Sequence, residues 1–358
     1  MKETITISQL GSTVYNLLPN LPAIAQAGMF SSHARAYYLG QSSSQAMHCR
    51  ARRNLTKNTT EFTFQTGKGF ENWQAGDHVT LSIFWKGKKL KREYSITSGN
   101  SESISIAVKK VESGIFSTWM HEHCHPGTRL QVTQPKGDFH LAAGLPSQIA
   151  LLSIGSGVTP LYAISQSLLQ KNYRGEVQFL HGSPSPEETI YRDEILAIER
   201  ALPGFQASFY HSREKARLTA ASVLEKLTNF ERTTSHVYLC GSGEFVGPVQ
   251  KVLRDEGFAN IFAEYYSLPA STESATGASV QLTKSGLNIQ GAGNLLELSE
   301  RAGLKPKHGC RRGICHECKT TKISGVVENM LTGEKSEPGS EQIRLCISKA
   351  CSEVQIEL

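Results

Sequence analysis

The hydrophobic period of this 358-residue chain changes near residue 147, and that change limits what it can fold into. From 46 to 143, apolar and polar residues alternate through runs such as Glu61-Phe62-Thr63-Phe64, His78-Val79-Thr80-Leu81-Ser82-Ile83 and Ser103-Ile104-Ser105-Ile106-Ala107-Val108. Alternation makes half-buried strands, and turns at Gly76-Asp77 and Gly99-Asn100 complete the pattern of a small antiparallel barrel. From 146 to 266, short apolar runs are each followed by an amphipathic stretch: Ile149–Ile154 then Leu161–Leu169, and Val177–Leu180 then Glu188–Leu202. The same alternation continues with Phe205–Tyr210 then Thr219–Leu227, and His236–Leu239 then Phe245–Leu253. Repeated strand–helix units predict a parallel sheet covered by helices on both faces. Residues 267–277 (SLPASTESATG) are almost without apolar side chains and read as a linker. They lead to a compact unit over 278–358, while residues 1–45 are expected to form a partly helical arm with no assigned chemistry.

Composition excludes several classes. With 39% hydrophobic and 20% charged residues the chain is globular and not disordered. No apolar run approaches the roughly 20 residues of a membrane span, and the start of the chain lacks the apolar core of a secretory signal. The expected compartment is therefore a reducing cytoplasm. The net charge of +6 is mild, and no basic recognition helix is evident, so no nucleic-acid partner is expected. The charge instead favours an acidic partner protein.

The cysteines carry the sharpest signal. Five of the eight lie at or beyond residue 310, which is unlike a disulfide framework. Cys310, Cys315 and Cys318, with Cys346 further on, are spaced C-x4-C-x2-C…C, the plant-type [2Fe–2S] arrangement in which four thiolates hold two irons. Gly309 and Gly313 would let backbone N–H groups approach the cluster sulfurs. A zinc site is the competing reading, but it ordinarily pairs two C-x2-C knuckles, and here the second is missing. Cys351 fits no ligand slot and is expected to be a packed thiol.

Four further elements suit phosphate and planar rings. Ile149-Ala150-Leu151-Leu152-Ser153-Ile154-Gly155-Ser156-Gly157-Val158-Thr159-Pro160 is a strand, a glycine turn and a helix start, which aims N–H groups at an anion. Val237-Tyr238-Leu239-Cys240-Gly241-Ser242-Gly243-Glu244 supplies a second turn, and both lie at carboxyl ends of strands, where open α/β sheets bind ligands. Arg92, Tyr94 and Ser95 end a barrel strand with a diphosphate clamp, a stacking ring and a hydroxyl. Gly114 and Ser117 stand at another helix start suited to phosphate oxygens.

In that order, R-x-Y-S-[IT], G-x-x-S, G-S-G-V-T-P, C-G-S-G and C-x4-C-x2-C…C resemble the ferredoxin–NADP reductase superfamily, in its branch with a C-terminal ferredoxin domain. The likeness covers about 46 to 358. It implies a flavin-binding barrel, an NAD(P)-binding α/β domain and a β-grasp ferredoxin domain. It implies that Arg92, Tyr94, Ser95, Val108 and Lys109 hold the flavin, with Gly114 and Ser117 at its pyrophosphate. Gly155, Gly157 and Thr159 of the first turn, and Cys240 with Gly241 of the second, would serve the nucleotide. Ser95, Thr159 and Cys240 would flank the hydride transfer, and FAD is favoured over FMN.

The expected activity passes electrons from NAD(P)H through FAD and a [2Fe–2S] cluster to an oxygenase or membrane fatty acid desaturase, the latter allowing peripheral membrane contact. Wording such as Ser324-Gly325-Val326-Val327 is most similar to desaturase-serving reductases. A reductase with its own small-molecule acceptor and a non-enzymatic redox sensor are the alternatives. NADPH is favoured because Ser212 and Arg213 follow the third strand with further cations, and no acid closely follows the second. Arg311, Arg312 and Lys319 beside the cysteines are expected to form an exposed docking patch. His121 and His125 are expected to be a helix face and not a metal site.

Overall fold

The computed structural model describes residues 44–67, 70, 72–267, 277–313 and 316–358. Most of the arm and linker positions, together with Cys315, lie outside these residues.

Six strands close an antiparallel barrel in the order β1-β2-β5-β4-β3-β6. They are β1 (Ser44–Thr56), β2 (Thr59–Gln65), β3 (His78–Trp85), β4 (Lys88–Gly99), β5 (Ser103–Lys109) and β6 (Arg129–Thr133). Alternation decides which residues face inward: Phe62, Phe64, Val79, Leu81, Ile104 and Ile106 are all buried in one core. Helix α1 (Ile115–His123) caps that core with Phe116, Trp119 and Met120.

The second unit is a five-stranded parallel sheet in the order β11-β10-β7-β8-β9. Its elements run β7 (Gln148–Ile154), α2 (Val158–Gln170), β8 (Glu176–Ser183), α3 (Arg192–Ala201), β9 (Phe205–His211), α4 (Ala220–Lys226), β10 (His236–Ser242), α5 (Gly243–Asp255) and β11 (Asn260–Ser267). The apolar run of β7 serves two cores. Ile149 and Leu151 meet α2 and α3 on one face, while Ala150 and Leu152 meet α4 and α5 on the other.

Two elements depart from expectation. Helix α3 begins at Arg192 and not at Glu188, because Tyr191 adopts a left-handed conformation (φ 59°) that ends the preceding turn. There its ring stacks on Tyr162 at 4.1 Å and its hydroxyl donates to Glu61 of β2 at 2.7 Å. Strand β11 was not anticipated, since Glu264 interrupts its apolar run.

Past residue 277 lies a mixed sheet in the order β13-β12-β18-β14-β16. It is built from β12 (Ser279–Leu282), β13 (Leu287–Gln290), β14 (Lys319–Ser324), β16 (Glu341–Arg344) and β18 (Val354–Ile356). Between and beside these come α6 (Leu295–Arg301) and the pair β15 (Val327–Asn329) and β17 (Ser348–Ala350). Leu295, Leu296 and Leu298 of α6 pack with Val280, Leu282, Cys318 and Cys346. Leu331 joins this core to that of the parallel sheet, and the Tyr265 hydroxyl donates to its carbonyl at 2.6 Å. No helix among the described residues is long and apolar enough to cross a membrane.

Candidate functional site

A cavity of about 780 Å³ opens where the barrel, the parallel sheet and the cysteine loop meet. Residues Lys89–Ser95 of β4, with Ala107 and Lys109 of β5, line it from the barrel. Gly114, Phe116 and Ser117 line it from the start of α1, Ser156, Thr159 and Tyr266 from the parallel sheet, and His308–Arg312 from the cysteine loop. Sequence positions more than two hundred residues apart thus share one space.

On the barrel side, Tyr94 lies 6.0 Å from the Phe116 ring, and burial pushes its phenol pKa up. Arg92 is exposed at the rim, near Lys89, Lys91 and Lys109. Ser117 Oγ accepts from Val111 N at 3.1 Å and donates to Gly114 O at 3.2 Å, tightening the helix start. Val108 points away: its side chain is buried in the barrel core and its carbonyl takes the His121 ring at 2.8 Å, so only its neighbours Ala107 and Lys109 face the cavity.

On the sheet side, the two glycine turns touch. A Cβ at Gly157 would stand 2.2 Å from the Cys240 carbonyl oxygen and 2.8 Å from Gly241 Cα, so only glycine lets the turn after β7 meet the end of β10. Gly155, at φ 53°, has open space around it. Thr159, the second residue of α2, holds the Ser156 carbonyl at 3.0 Å and the Tyr266 hydroxyl at 2.9 Å. The same hydroxyl lies 2.7 Å from Ser95 Oγ, so one phenol bridges the barrel and the turn after β7. Behind it, Cys240 Sγ lies 3.8 Å from Glu264 Oε2. Burial pushes the Glu264 carboxyl up to about 7 and the Cys240 thiol well up.

Ser212 and Arg213 stand at the end of β9, away from this cavity. Beyond β8, Glu188 of a short turn over Pro186–Glu188 forms an ion pair with Arg213.

In the cysteine loop, Cys318 Sγ and Cys346 Sγ are 3.3 Å apart. Arg312 N donates to Cys310 Sγ at 3.3 Å, and Gly313 N to Cys346 Sγ at 3.2 Å. Hydrogen bonds with Cys310 and Cys318 push the Cys346 thiol up. Among the described residues no group of three or more His, Cys, Asp or Glu is arranged to hold a metal ion. Cys351 is exposed, contrary to expectation, and reaches Glu328 at 3.7 Å from the edge of β17. His121 and His125 are held by Val108 O and Arg52 respectively.

The expected docking patch is also corrected. Arg311 makes a two-pronged ion pair with Glu300. Arg312 turns inward, its side chain 20% exposed and 3.7 Å from the buried Glu93 carboxylate, because the loop reverses through Arg311 at φ 58°. Arg311 and Lys319 remain exposed, so of the three cations only Arg312 departs from the expected surface patch. Glu93, Glu264 and Tyr266 are site residues that pattern reading missed. The acid-x-Tyr ending of the last sheet strand was the available signal.

Residues 46–141 match the oxidoreductase FAD-binding domain, and residues 151–251 match the oxidoreductase NAD-binding domain. The chain is an oxidoreductase of the ferredoxin-reductase type. This reductase is 26% identical over 316 residues to the NADPH oxidoreductase of Mycobacterium tuberculosis, covering 86% of this chain and 82% of that protein. It is 27% identical over 320 residues to the glycine betaine monooxygenase reductase subunit of Chromohalobacter salexigens, covering 80% of this chain and 87% of that one. Its fold is similar to that of phthalate dioxygenase reductase, with TM-score 0.60 at 21% identity, over 88% of this chain and 98% of that one. The reductase is an NAD(P)H-dependent electron-transfer enzyme.

Proposed function

We propose that this reductase draws electrons from NADPH through FAD and a [2Fe–2S] cluster and delivers them singly to an oxygenase. The observation that carries the reading is the shared cavity, which puts Arg92, Tyr94, Thr159 and Cys310 on one space. Its residues fit a flavin. Lys89, Lys91, Arg92 and Lys109 offer cations to a pyrophosphate, the start of α1 offers N–H groups, and Tyr94 and Phe116 offer an aromatic wall. Two cysteine sulfurs already meet at Cys318 and Cys346, and backbone N–H groups point at Cys310 and Cys346; this donor chemistry suits a cluster whose ligands would be Cys310, Cys315, Cys318 and Cys346. The mixed sheet with α6 is in keeping with a β-grasp ferredoxin domain over 278–358.

When bound, FAD accepts a hydride as two electrons and the cluster carries electrons one at a time, so the protein supplies placement and electrostatics. The Tyr266 hydroxyl spans the gap between Ser95 and Thr159, so this chain's own side chains set the spacing between the barrel and the turn after β7. Near neutral pH Glu264 holds or releases a proton beside Cys240.

An oxygenase is favoured over a fatty acid desaturase as acceptor because relatives include a monooxygenase reductase subunit and a fold neighbour is phthalate dioxygenase reductase. NADPH is favoured by Arg213 and by the likeness to an NADPH oxidoreductase. The test is to purify the protein with its chromophores, identify the flavin after release, measure iron and acid-labile sulfide, and follow cytochrome c reduction with each coenzyme. Bound FAD, two irons and two sulfides per chain with NADPH-driven turnover are expected. A preparation that binds flavin and turns over, yet holds zinc and no sulfide, would refute the cluster.

A further inference from the structure

Arg312 touches all three units. Its backbone N–H donates to Cys310 Sγ at 3.3 Å, its Nη1 donates to the Tyr266 carbonyl at 3.1 Å, and its Nη2 lies 3.7 Å from Glu93 Oε2 of the barrel. The guanidinium also lies over the Tyr266 ring, 5.5 Å from the centroid. Tyr266 is therefore held twice: through its hydroxyl by Ser95 and Thr159, and through its carbonyl and ring by a residue of the cysteine loop. On the functional reading above, Ser95 and Thr159 flank the path of a nicotinamide ring to the flavin. With one phenol oxygen 2.7 and 2.9 Å from the two, that gap has no room for a second ring, whose faces need about 3.5–4.0 Å on each side.

We propose that Arg312 is a positioning residue that holds Tyr266 across the nicotinamide path, so that coenzyme binding and the hold of the cysteine loop on the barrel oppose each other. The proposal rests on the functional reading above. Coenzyme that displaces Tyr266 breaks the contact through which Arg312 anchors the loop. By thermodynamic reciprocity, weakening the anchor makes the coenzyme bind more tightly by the same factor. The loop is then firm while the site waits and loosens when reduced coenzyme arrives, which frees the face around Cys310 to meet an acceptor. Charge alone does not explain the arrangement. A lysine would neutralise Glu93 equally well, but it lacks the planar fork that lies on the ring and reaches the carbonyl together.

The test measures the NADP+ dissociation constant by calorimetry, and hydrogen exchange over residues 306–313 with and without NADP+. The comparison is the parent holoprotein against Arg312→Ala, Arg312→Lys, and Arg312→Ala with Glu93→Gln. The last variant leaves no buried carboxylate without its cation and guards against simple misfolding. In the parent, NADP+ is expected to raise exchange over 306–313. In the alanine variants exchange is already high and NADP+ binds about tenfold more tightly, the factor expected from losing one charged hydrogen bond. Arg312→Lys is expected to behave like the alanine variants, whereas full rescue by lysine would reduce Arg312 to a countercharge and overturn the proposal. An unchanged dissociation constant in every variant, with exchange in the parent indifferent to NADP+, overturns the coupling alone. A parent protein that binds no NADP+ overturns the functional reading with it.

Discussion

The hydroxyls of Ser95 and Tyr266, 171 residues apart in sequence, lie 2.7 Å from one another, and Thr159 joins them at 2.9 Å. Both partners of the phenol are themselves buried, Ser95 at 6% and Thr159 at 4% exposure, so removing it leaves hydroxyls with few alternatives. Tyr266→Phe is expected to lower thermal stability by about 1–2 kcal/mol, the usual cost of an unmet buried hydrogen bond. The same change makes the ring easier to displace, so the NADP+ dissociation constant is expected to fall. A dissociation constant that rises would mean Tyr266 helps hold the coenzyme and does not stand in its way.

Gly157 and Gly155 differ in what surrounds them. Gly157→Ala drives a methyl into the Cys240 carbonyl, 2.2 Å away, and forces β7 and β10 apart at their carboxyl ends. Loss of coenzyme binding and about 3 kcal/mol or more of stability is expected, the scale of overpacking in a core. Gly155→Ala meets nothing within 4 Å and bears only the strain of φ 53°. For that variant a loss of about 1 kcal/mol is expected. Urea denaturation of both variants beside the parent separates the two cases.

Glu264 makes the protein pH-sensitive in a defined direction. Burial raises its carboxyl from 4.5 to about 7, so the folded state favours the proton. Its contribution to stability is present below pH 4.5 and is lost as pH rises through about 7. Glu264→Gln removes that dependence, and its melting temperature is expected to gain on the parent's as pH rises across this window. If kcat/KM of the parent has a limb near pH 7, the glutamine variant is expected to lack it. Parallel melting curves for the two proteins from pH 4.5 to 7 would show that Glu264 is solvated.

The proposed preference for NADPH rests on Arg213, which is 67% exposed and ion-paired with Glu188. Arg213→Ala is expected to lower kcat/KM for NADPH about tenfold and leave NADH nearly unchanged, as for one lost charge-assisted contact. Glu188→Gln frees the guanidinium for a 2′-phosphate and is expected to raise NADPH preference by a factor of up to about five, since exposed pairs are weak. Steady-state kinetics with both coenzymes checks this. A parent that prefers NADH, with Arg213→Ala indifferent, would reverse the assignment.

The barrel core and both faces of the parallel sheet were legible in the sequence because period and burial coincide there, as in Phe62 and Phe64 or Ile149 and Ala150. The glycine turns were legible because close approach admits only glycine, as Gly157 shows. Strand β11 was not, because its buried Glu264 reads as a surface residue until Cys240 and the fold around it are known. Arg312 misled for a related reason. A charged residue in a loop reads as solvated, and only the left-handed Arg311 beside it turns the guanidinium onto Tyr266 and Glu93. The pairing of Glu188 with Arg213 was not legible because the two stand 25 residues apart.

The most direct measurement of the electron path is the low-temperature electron paramagnetic resonance spectrum of the protein reduced anaerobically with NADPH, recorded beside that of Cys346→Ser. The parent is expected to bleach its flavin absorbance and give the rhombic signal of a reduced two-iron cluster. Cys346→Ser is expected to bleach the flavin and show no such signal, because Cys346 meets Cys318 at 3.3 Å in the proposed ligand shell. A parent that holds iron and flavin, bleaches fully with NADPH and still gives no cluster signal would contradict electron transfer from the flavin to these cysteines.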